Sequence, residues 1–316
     1  MPLAMDLAGT TVALAAEPGP RYVSLHDRDI AFRYWPGNGP TVLLIHGLGS
    51  SGDEWDLVIP HLRAAGHGVV AIDLPGHGNS ARGREDYSLG ATASIVRDLM
   101  DHLGIDRAIL AGHSLGGGIA LQFTYQFRER ICGLVLVSSG GLGGEATGWL
   151  RAATLPGSGL VLAAIGSRAT VRSGDWLGRR LRRRGIAPRV LDPDSLAKLA
   201  SFGHRPTRMA FLATLRSVVD RSGQSVSALG KLTVVGDLPV LLVWGADDPT
   251  IPMSHAQNAI ARLPHAKLVV FDSVRHEPHR DRPADLAALV VNHFRGWGLD
   301  AALSTSIDGM RYDGLL

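Results

Sequence analysis

Ser114 stands at the centre of Gly112-His-Ser-Leu-Gly116, the stretch of the chain where chemistry is most legible. A serine hydroxyl is a weak nucleophile at neutral pH; it needs a base beside it, and the base needs an orienting group. The setting of Ser114 suits that role. An apolar run, Ala108 to Ala111, has the length of a buried strand, and Leu115, Ile119, Phe123 and Phe127 then recur every four residues, the stripe of a helix. A serine on so tight a strand-to-helix turn takes a strained backbone conformation that lifts its hydroxyl clear. Gly112, Gly116 and Gly117 carry no Cβ to obstruct the close passage of the chain. The helix N-terminus offers free N–H groups where negative charge would develop. Pentapeptides of the form G-x-S-x-G also arise by chance, and a glycine-rich turn needs small residues for packing alone; the flanking strand and helix patterns favour the nucleophile. A phosphate loop is disfavoured, because no Gly-Lys-Ser/Thr follows.

The partners of such a serine must come from other strand ends. Thr41-Val-Leu-Leu-Ile45 is a continuous β-branched and apolar run, and His46-Gly-Leu-Gly49 follows it at once. In a serine-type hydrolase one oxyanion donor is the amide after the nucleophile, here Leu115, and the other comes from the loop after this strand, here the amide of Leu48. A strand from Leu238 to Trp244 leads into Gly245-Ala-Asp-Asp-Pro-Thr-Ile-Pro252, and a strand from Lys267 to Phe271 leads into Asp272-Ser-Val-Arg-His276-Glu-Pro-His279. Ser114, Asp248 and His276 thus occur in the order nucleophile, acid, base, each on a loop just after a strand. Each partner has a rival: Asp247 adjoins Asp248, and His279 competes with His276. Asp73 and His77 lie in a turn cluster, where an aspartate bonding local backbone is the expected role.

The elements that position these residues follow an α/β rhythm. Arg21–Leu25 and Ile30–Tyr34 read as a hairpin, and Val69–Asp73 as a strand. Tyr87–Leu103 reads as a helix and Ile131–Val137 as another strand, with Trp55 opening a helix after the glycine loop. Short connections predict a mostly parallel sheet with right-handed crossovers. From Leu142 to Gly230 strands give way to helical patterns. Among these, Trp149, Leu155, Leu160, Leu162, Trp176, Phe202, Met209, Phe211 and Leu212 are expected to pack a lid and line a pocket. Pro283 opens a last helix with Leu286, Leu289, Val290, Phe294 and Trp297 on one side. The domain reading is a lead-in over 1–20, a core over 21–141 and 231–298, a helical cap over 142–230 and a tail over 299–316.

Composition narrows the class. The 316 residues are 45% hydrophobic and 19% charged, as in a globular protein. A lone cysteine, Cys132, cannot form an internal disulfide and reads as strand packing. The first residues lack a basic leader, and no apolar run has the length of a membrane span, so a cytoplasmic protein is expected. The net charge of +3 is unevenly placed: residues 142–230 hold 13 Arg and one Lys against five acids, leaving +9 there and −6 elsewhere. A solvated arginine-rich surface accounts for this. It also admits an anionic or carrier-linked substrate, or an acidic membrane surface. The scattered histidines show no metal-ligand spacing, no cofactor is expected, and the basic run carries no nucleic-acid motif.

With these residues assembled, the chain resembles the α/β-hydrolase family over roughly Arg21 to Gly298. The pattern H-G-x-G fits His46–Gly49, D-x-P-G-x-G fits Asp73–Gly78, and small-x-Ser-x-small-small fits Gly112–Gly117. G-x-x-D-x-x-x-P fits Gly245, Asp248 and Pro252, which selects Asp248 over Asp247. The terminal H-x-P fits His276 and Pro278, which selects His276 over His279. The family's usual glycine before the histidine is Arg275 here. The resemblance implies a mostly parallel sheet flanked by helices, a helical cap inserted after the sixth strand, and a Ser114–His276–Asp248 triad. Family members with an aspartate nucleophile are excluded by Ser114. The expected activity is hydrolysis of carboxylic esters, thioesters or lactones of a small, fairly apolar molecule through an acyl-enzyme. Carbon–carbon bond hydrolysis with the same triad, and a slow ligand receptor on the same fold, are the alternatives.

Overall fold

The computed structural model describes residues 3–5, 11–13, 19–83, 86–186, 188, 191, 193–263, 265–295 and 297. The tail after residue 298 and most of the lead-in fall outside the described residues. Two three-residue strands, β1 (Leu3–Met5) and β2 (Thr11–Ala13), pair antiparallel with each other. The main sheet has eight strands: β3 (Arg21–Leu25), β4 (Arg28–Trp35), β5 (Gly39–Ile45), β6 (His67–Ile72), β7 (Ala108–His113), β8 (Ile131–Val137), β9 (Val240–Gly245) and β10 (Ala266–Phe271). Their order is β10-β9-β8-β7-β5-β6-β4-β3, parallel from β10 through β6, with β4 and β3 antiparallel at one edge.

Sequence chemistry explains this order. Strands β6 to β9 are buried at every residue, the consequence of helices on both faces, and they are the runs rich in Val, Ile and Leu. The edge strand β3 instead mixes exposed and half-buried residues. Its turn to β4 is only His26-Asp27, both at positive φ (51° and 59°), so Arg28 and Asp29 belong to the strand and not to the turn. Alternate strand residues feed two layers. Leu43, Ile45, Leu110 and Leu134 pack against the helices α2 (Leu89–His102) and α3 (Leu115–Gln126). Val42, Leu44, Ile109 and Val135 pack against α1 (Ile59–Ala64) and the last helix (Pro283–Arg295). Cys132 lies in this second layer, its thiol pushed up to about 11 by burial, which leaves it an unreactive packing group.

Two expectations change here. Trp55 does not open a helix; it closes a short 3-10 turn (Gly52–Trp55) and is fully buried, because the glycine loop returns directly onto the sheet. Trp297 lies beyond the last helix, exposed and edge-on to His265, since that helix ends at Arg295.

Between β8, the sixth strand of the main sheet, and β9 the described residues include the α-helices α4 (Gly148–Ala153), α5 (Ser158–Ile165), α6 (Arg168–Arg182), α7 (Pro193–Ser201) and α8 (Arg205–Val218). Their core is small: Ala153, Phe211, Leu212, Leu215 and Val219, with Leu150, Leu162 and Phe202 half-buried against it. Trp149, Leu155, Leu160, Trp176 and Met209 are exposed, contrary to the expectation that they pack the cap. Thin helical layers have too little interior to cover every apolar side chain they carry. No helix among the described residues is long and apolar enough to cross a membrane.

Candidate active site

Ser114 takes φ 53° and ψ −113°, a strained conformation for a residue with a Cβ, at the junction of β7 and α3. The surrounding glycines are required sterically. A Cβ on Gly112 would overlap the carbonyl of Gly116, and one on Gly116 would overlap the carbonyl of Ile45. The turn is tied down by its own backbone: Gly117 N and Gly140 N both donate to the Ser114 carbonyl, at 3.1 and 2.9 Å. Leu115 opens α3, where the first N–H groups have no intrahelical acceptor. Leu48, Ser114 and Leu115 line one pocket.

The loops after β9 and β10 meet. His276 Nδ1 donates to Asp248 Oδ2 at 2.8 Å, with Oδ1 at 3.1 Å. Asp248 Oδ1 also accepts from the amides of Thr250 (2.8 Å) and Ile251 (3.0 Å), and Trp244 Nε1 donates to the Ile251 carbonyl at 3.0 Å. A Cβ on Gly245 would collide with the Val274 and Arg275 carbonyls, so only glycine lets these two loops lie together. Burial raises the Asp248 carboxyl, but its bond to His276 and the two amides outweigh this and hold it below the usual carboxylate value. Burial lowers His276 below 6.5 despite the Asp248 bond, so its imidazole is neutral at pH 7 and Nε2 keeps a lone pair. Asp247 points to solvent, its amide bonded to the Val274 carbonyl. Arg275 is exposed, and the left-handed residue of this loop is Ser273 (φ 59°), so the loop needs no glycine at 275.

Beneath these residues lies a group that sequence reasoning passed over. His113, the residue before Ser114, donates from Nδ1 to Glu54 Oε1 (2.8 Å) and from Nε2 to the backbone carbonyl of His276 (2.9 Å). Both ring nitrogens face acceptors only, which assigns the doubly protonated form. Burial would lower His113, yet the Glu54 carboxylate outweighs it and raises the imidazole above 6.5. Burial likewise opposes Glu54, and the facing histidines hold its carboxyl well below 4.5. Gly47 N donates to the same Glu54 oxygen at 3.2 Å. One buried ion pair therefore ties the glycine loop, the serine turn and the His276 loop together. His279 completes the floor, stacked between Trp55 (ring centroids 4.9 Å) and His113 (4.4 Å). Burial, then the His113 charge, push His279 well below 6.5 and keep it neutral.

Glu54, His113 and His279 place one ligand atom each within 4.8 Å, which the scattered positions in sequence did not reveal. Glu54 and His113 already satisfy each other, so an ion there would have to displace the shared proton. His46 is also structural: Nδ1 donates to the Gly47 carbonyl (2.7 Å) and Nε2 accepts from Leu74 N (3.0 Å). Asp73 accepts from the amides of Gly52 (2.6 Å) and Asn79 (2.7 Å), the turn role expected of it.

The pocket above Ser114 is a cleft of about 70 Å³ that opens to solvent. Leu89, Leu150, Leu215, Val218, Val226 and Ile251 dominate its wall, drawn from sheet loops and cap alike. Its polar side chains are largely committed. Gln224 accepts from Gly141 N at 2.7 Å and donates to the Glu145 carbonyl at 2.8 Å, and Glu145 accepts from His255 at 2.6 Å.

Comparison with known proteins agrees with this architecture. The alpha/beta hydrolase family model matches residues 42–289. An uncharacterized protein of Mycobacterium tuberculosis is 36% identical over 278 residues, covering 87% of this chain and 81% of its own. A 2-hydroxy-6-oxo-6-phenylhexa-2,4-dienoate hydrolase of Burkholderia cepacia is 28% identical over 76% of this chain and 82% of its own. Among solved structures, an esterase from Rhodococcus sp. superposes with a TM-score of 0.66 at 22% identity, covering 87% of this chain and 98% of that one. Sheet order, serine turn and family match converge, and the chain belongs to the alpha/beta hydrolase family, a hydrolase enzyme.

Proposed function

We propose that the protein is a serine hydrolase of carboxylic esters, thioesters or lactones with an apolar acyl group, working through an acyl-enzyme. Ser114 Oγ attacks the acyl carbon while His276 Nε2 takes its proton and passes it to the departing alkoxide or thiolate. Asp248 fixes the tautomer and stabilises the imidazolium. The amides of Leu48 and Leu115 bind the oxyanion, and water then frees the acid by the same steps in reverse. The observation that carries the reading is the strained Ser114 turn opening, beside Leu48 and Leu115, into an apolar pocket. In this reading residues 142–230 act as a cap over a cytoplasmic hydrolase core.

Carbon–carbon hydrolysis is the second reading, motivated by the dienoate hydrolase relative. A dienoate is an anion, and among the described residues the charged side chain lining the pocket is Glu145, which has the wrong sign, with no Arg or Lys among them. Ester chemistry is therefore preferred. Ser114→Ala is expected to lose p-nitrophenyl butyrate turnover by at least a thousandfold with an unchanged circular dichroism spectrum. A fluorophosphonate probe should label the parent and not the variant. Full turnover by Ser114→Ala would sink the assignment. Faster consumption of a dienoate chromophore than of any ester would transfer it to the second reading.

A further inference from the structure

The cap presents an outer surface that the catalytic reading leaves unused. Helix α5 is apolar along almost its whole length. Its inner side is Ser158, Gly159 and Leu162, with a Cβ on Gly159 lying 3.4 Å from Leu212 of α8. Leu160, Val161 and Ala164 form the opposite side, and Leu160 and Val161 are 79% and 60% exposed. Trp149 of α4 is 58% exposed nearby in the chain. Among the described residues, eight of the twelve large apolar side chains that stand exposed fall between 149 and 209. Large apolar side chains left in water so densely along one segment point to a surface that something covers.

The next helix supplies charge. On α6 the exposed residues Arg168, Arg172, Trp176 and Arg180 follow one stripe at a spacing of four, and Arg183 at the C-cap continues it. The Arg180 guanidinium lies over the Trp176 ring at 5.5 Å. Val171, Gly174 and Gly178 line the opposite, covered side. Arg168 and Arg172 border one groove together with Ala163 of α5 and His204, so the start of α6 lies against the end of α5.

We propose that this outer cap surface, the α5 apolar face with the α6 arginine–tryptophan stripe, adsorbs to an anionic lipid bilayer. Apolar side chains flanked by arginine and tryptophan match the bilayer interface, where rings and aliphatic groups enter the headgroup layer and guanidinium groups meet phosphates. A soluble polyanion would pair with the arginines but leave Leu160 and Val161 in water. A second copy of this chain would bring one +9 segment against another. The charge asymmetry therefore selects lipid.

The test uses the full chain and sedimentation with vesicles of phosphatidylcholine alone or mixed with phosphatidylglycerol. Binding to the mixed vesicles is expected, weak binding to neutral ones, and a fall as salt rises. The double variant Arg168→Glu with Arg172→Glu should weaken binding by at least roughly twenty-fold, from about five-fold per arginine removed. Leu160→Ser with Val161→Ser should weaken it by about ten-fold. Hydrolysis of a soluble short-chain ester without vesicles should stay unchanged in both, which separates this proposal from the catalytic one. Equal binding to neutral and anionic vesicles, heparin binding as tight as vesicle binding, or a dimer in solution that Leu160→Ser with Val161→Ser dissociates would each overturn it.

Discussion

Two acid–imidazole pairs of equal length lie side by side in this molecule, and their imidazoles are shifted in opposite directions. Asp248–His276 and Glu54–His113 both span 2.8 Å, and the His113 and His276 rings are 4.8 Å apart. His276 bonds its acid through Nδ1 and is 18% exposed at the side chain; His113 has an acceptor on each nitrogen and is 4% exposed. One pair leaves a lone pair free and keeps its imidazole neutral below its ordinary value. The other spends both nitrogens and holds a proton. At His113 the Glu54 carboxylate outweighs burial, whereas at His276 burial and the neighbouring His113 charge outweigh the bond to Asp248.

Four changes would break or sharpen the contrast. Asp248→Asn should cost ester turnover on the order of ten-thousandfold, because the wrong tautomer is held, with little change in substrate binding; comparison of kcat with KM checks this. Glu54→Ala should act chiefly on stability. It leaves the His113 charge buried and unpaired, a loss of about 3–5 kcal/mol in urea unfolding. A Glu54→Ala variant as stable as the parent would mean that the two pairs do not differ in role.

The third test is pH. His276 must be neutral to accept a proton, so the acid limb of kcat/KM should lie below pH 6.5. Stability should run the other way for His113. Its folded value is raised, so its contribution is complete below pH 6.5 and fades as pH climbs through that raised value. Glu54, held low, contributes above about pH 4.5 and loses its share as pH falls through its folded value. Melting temperature should therefore decline on the alkaline side, and Glu54→Gln should flatten that decline. The smallest effect is expected for Arg275→Gly, a change at an exposed residue that should leave activity within about two-fold and stability within about 0.5 kcal/mol.

Legibility in the sequence followed the same division. The Asp248–His276 pair could be read because each residue follows a strand end and carries local punctuation, Gly245 and Pro252 for one and Pro278 for the other. The Glu54–His113 pair could not. Glu54 in Gly-Asp-Glu-Trp looks like a surface acid, and His113 fills a variable place in the serine turn; only their burial together reveals them. The cap shows the same limit. Its helices were visible as patterns, but Leu160 and Trp176 were expected inside and lie outside, since a helix's stripe does not say whether anything covers it.

The sequence by itself determined the strands, the strained serine turn and the placing of Ser114, Asp248 and His276 after strand ends, because period, glycine placement and strand-end position are local properties of the chain. The tertiary structure alone decided which histidine carries a proton, which acid is buried and which apolar face meets solvent. Those depend on groups 59 residues apart for Glu54 and His113 and 163 apart for His113 and His276, and electrostatics acts across space without regard to the length of chain between.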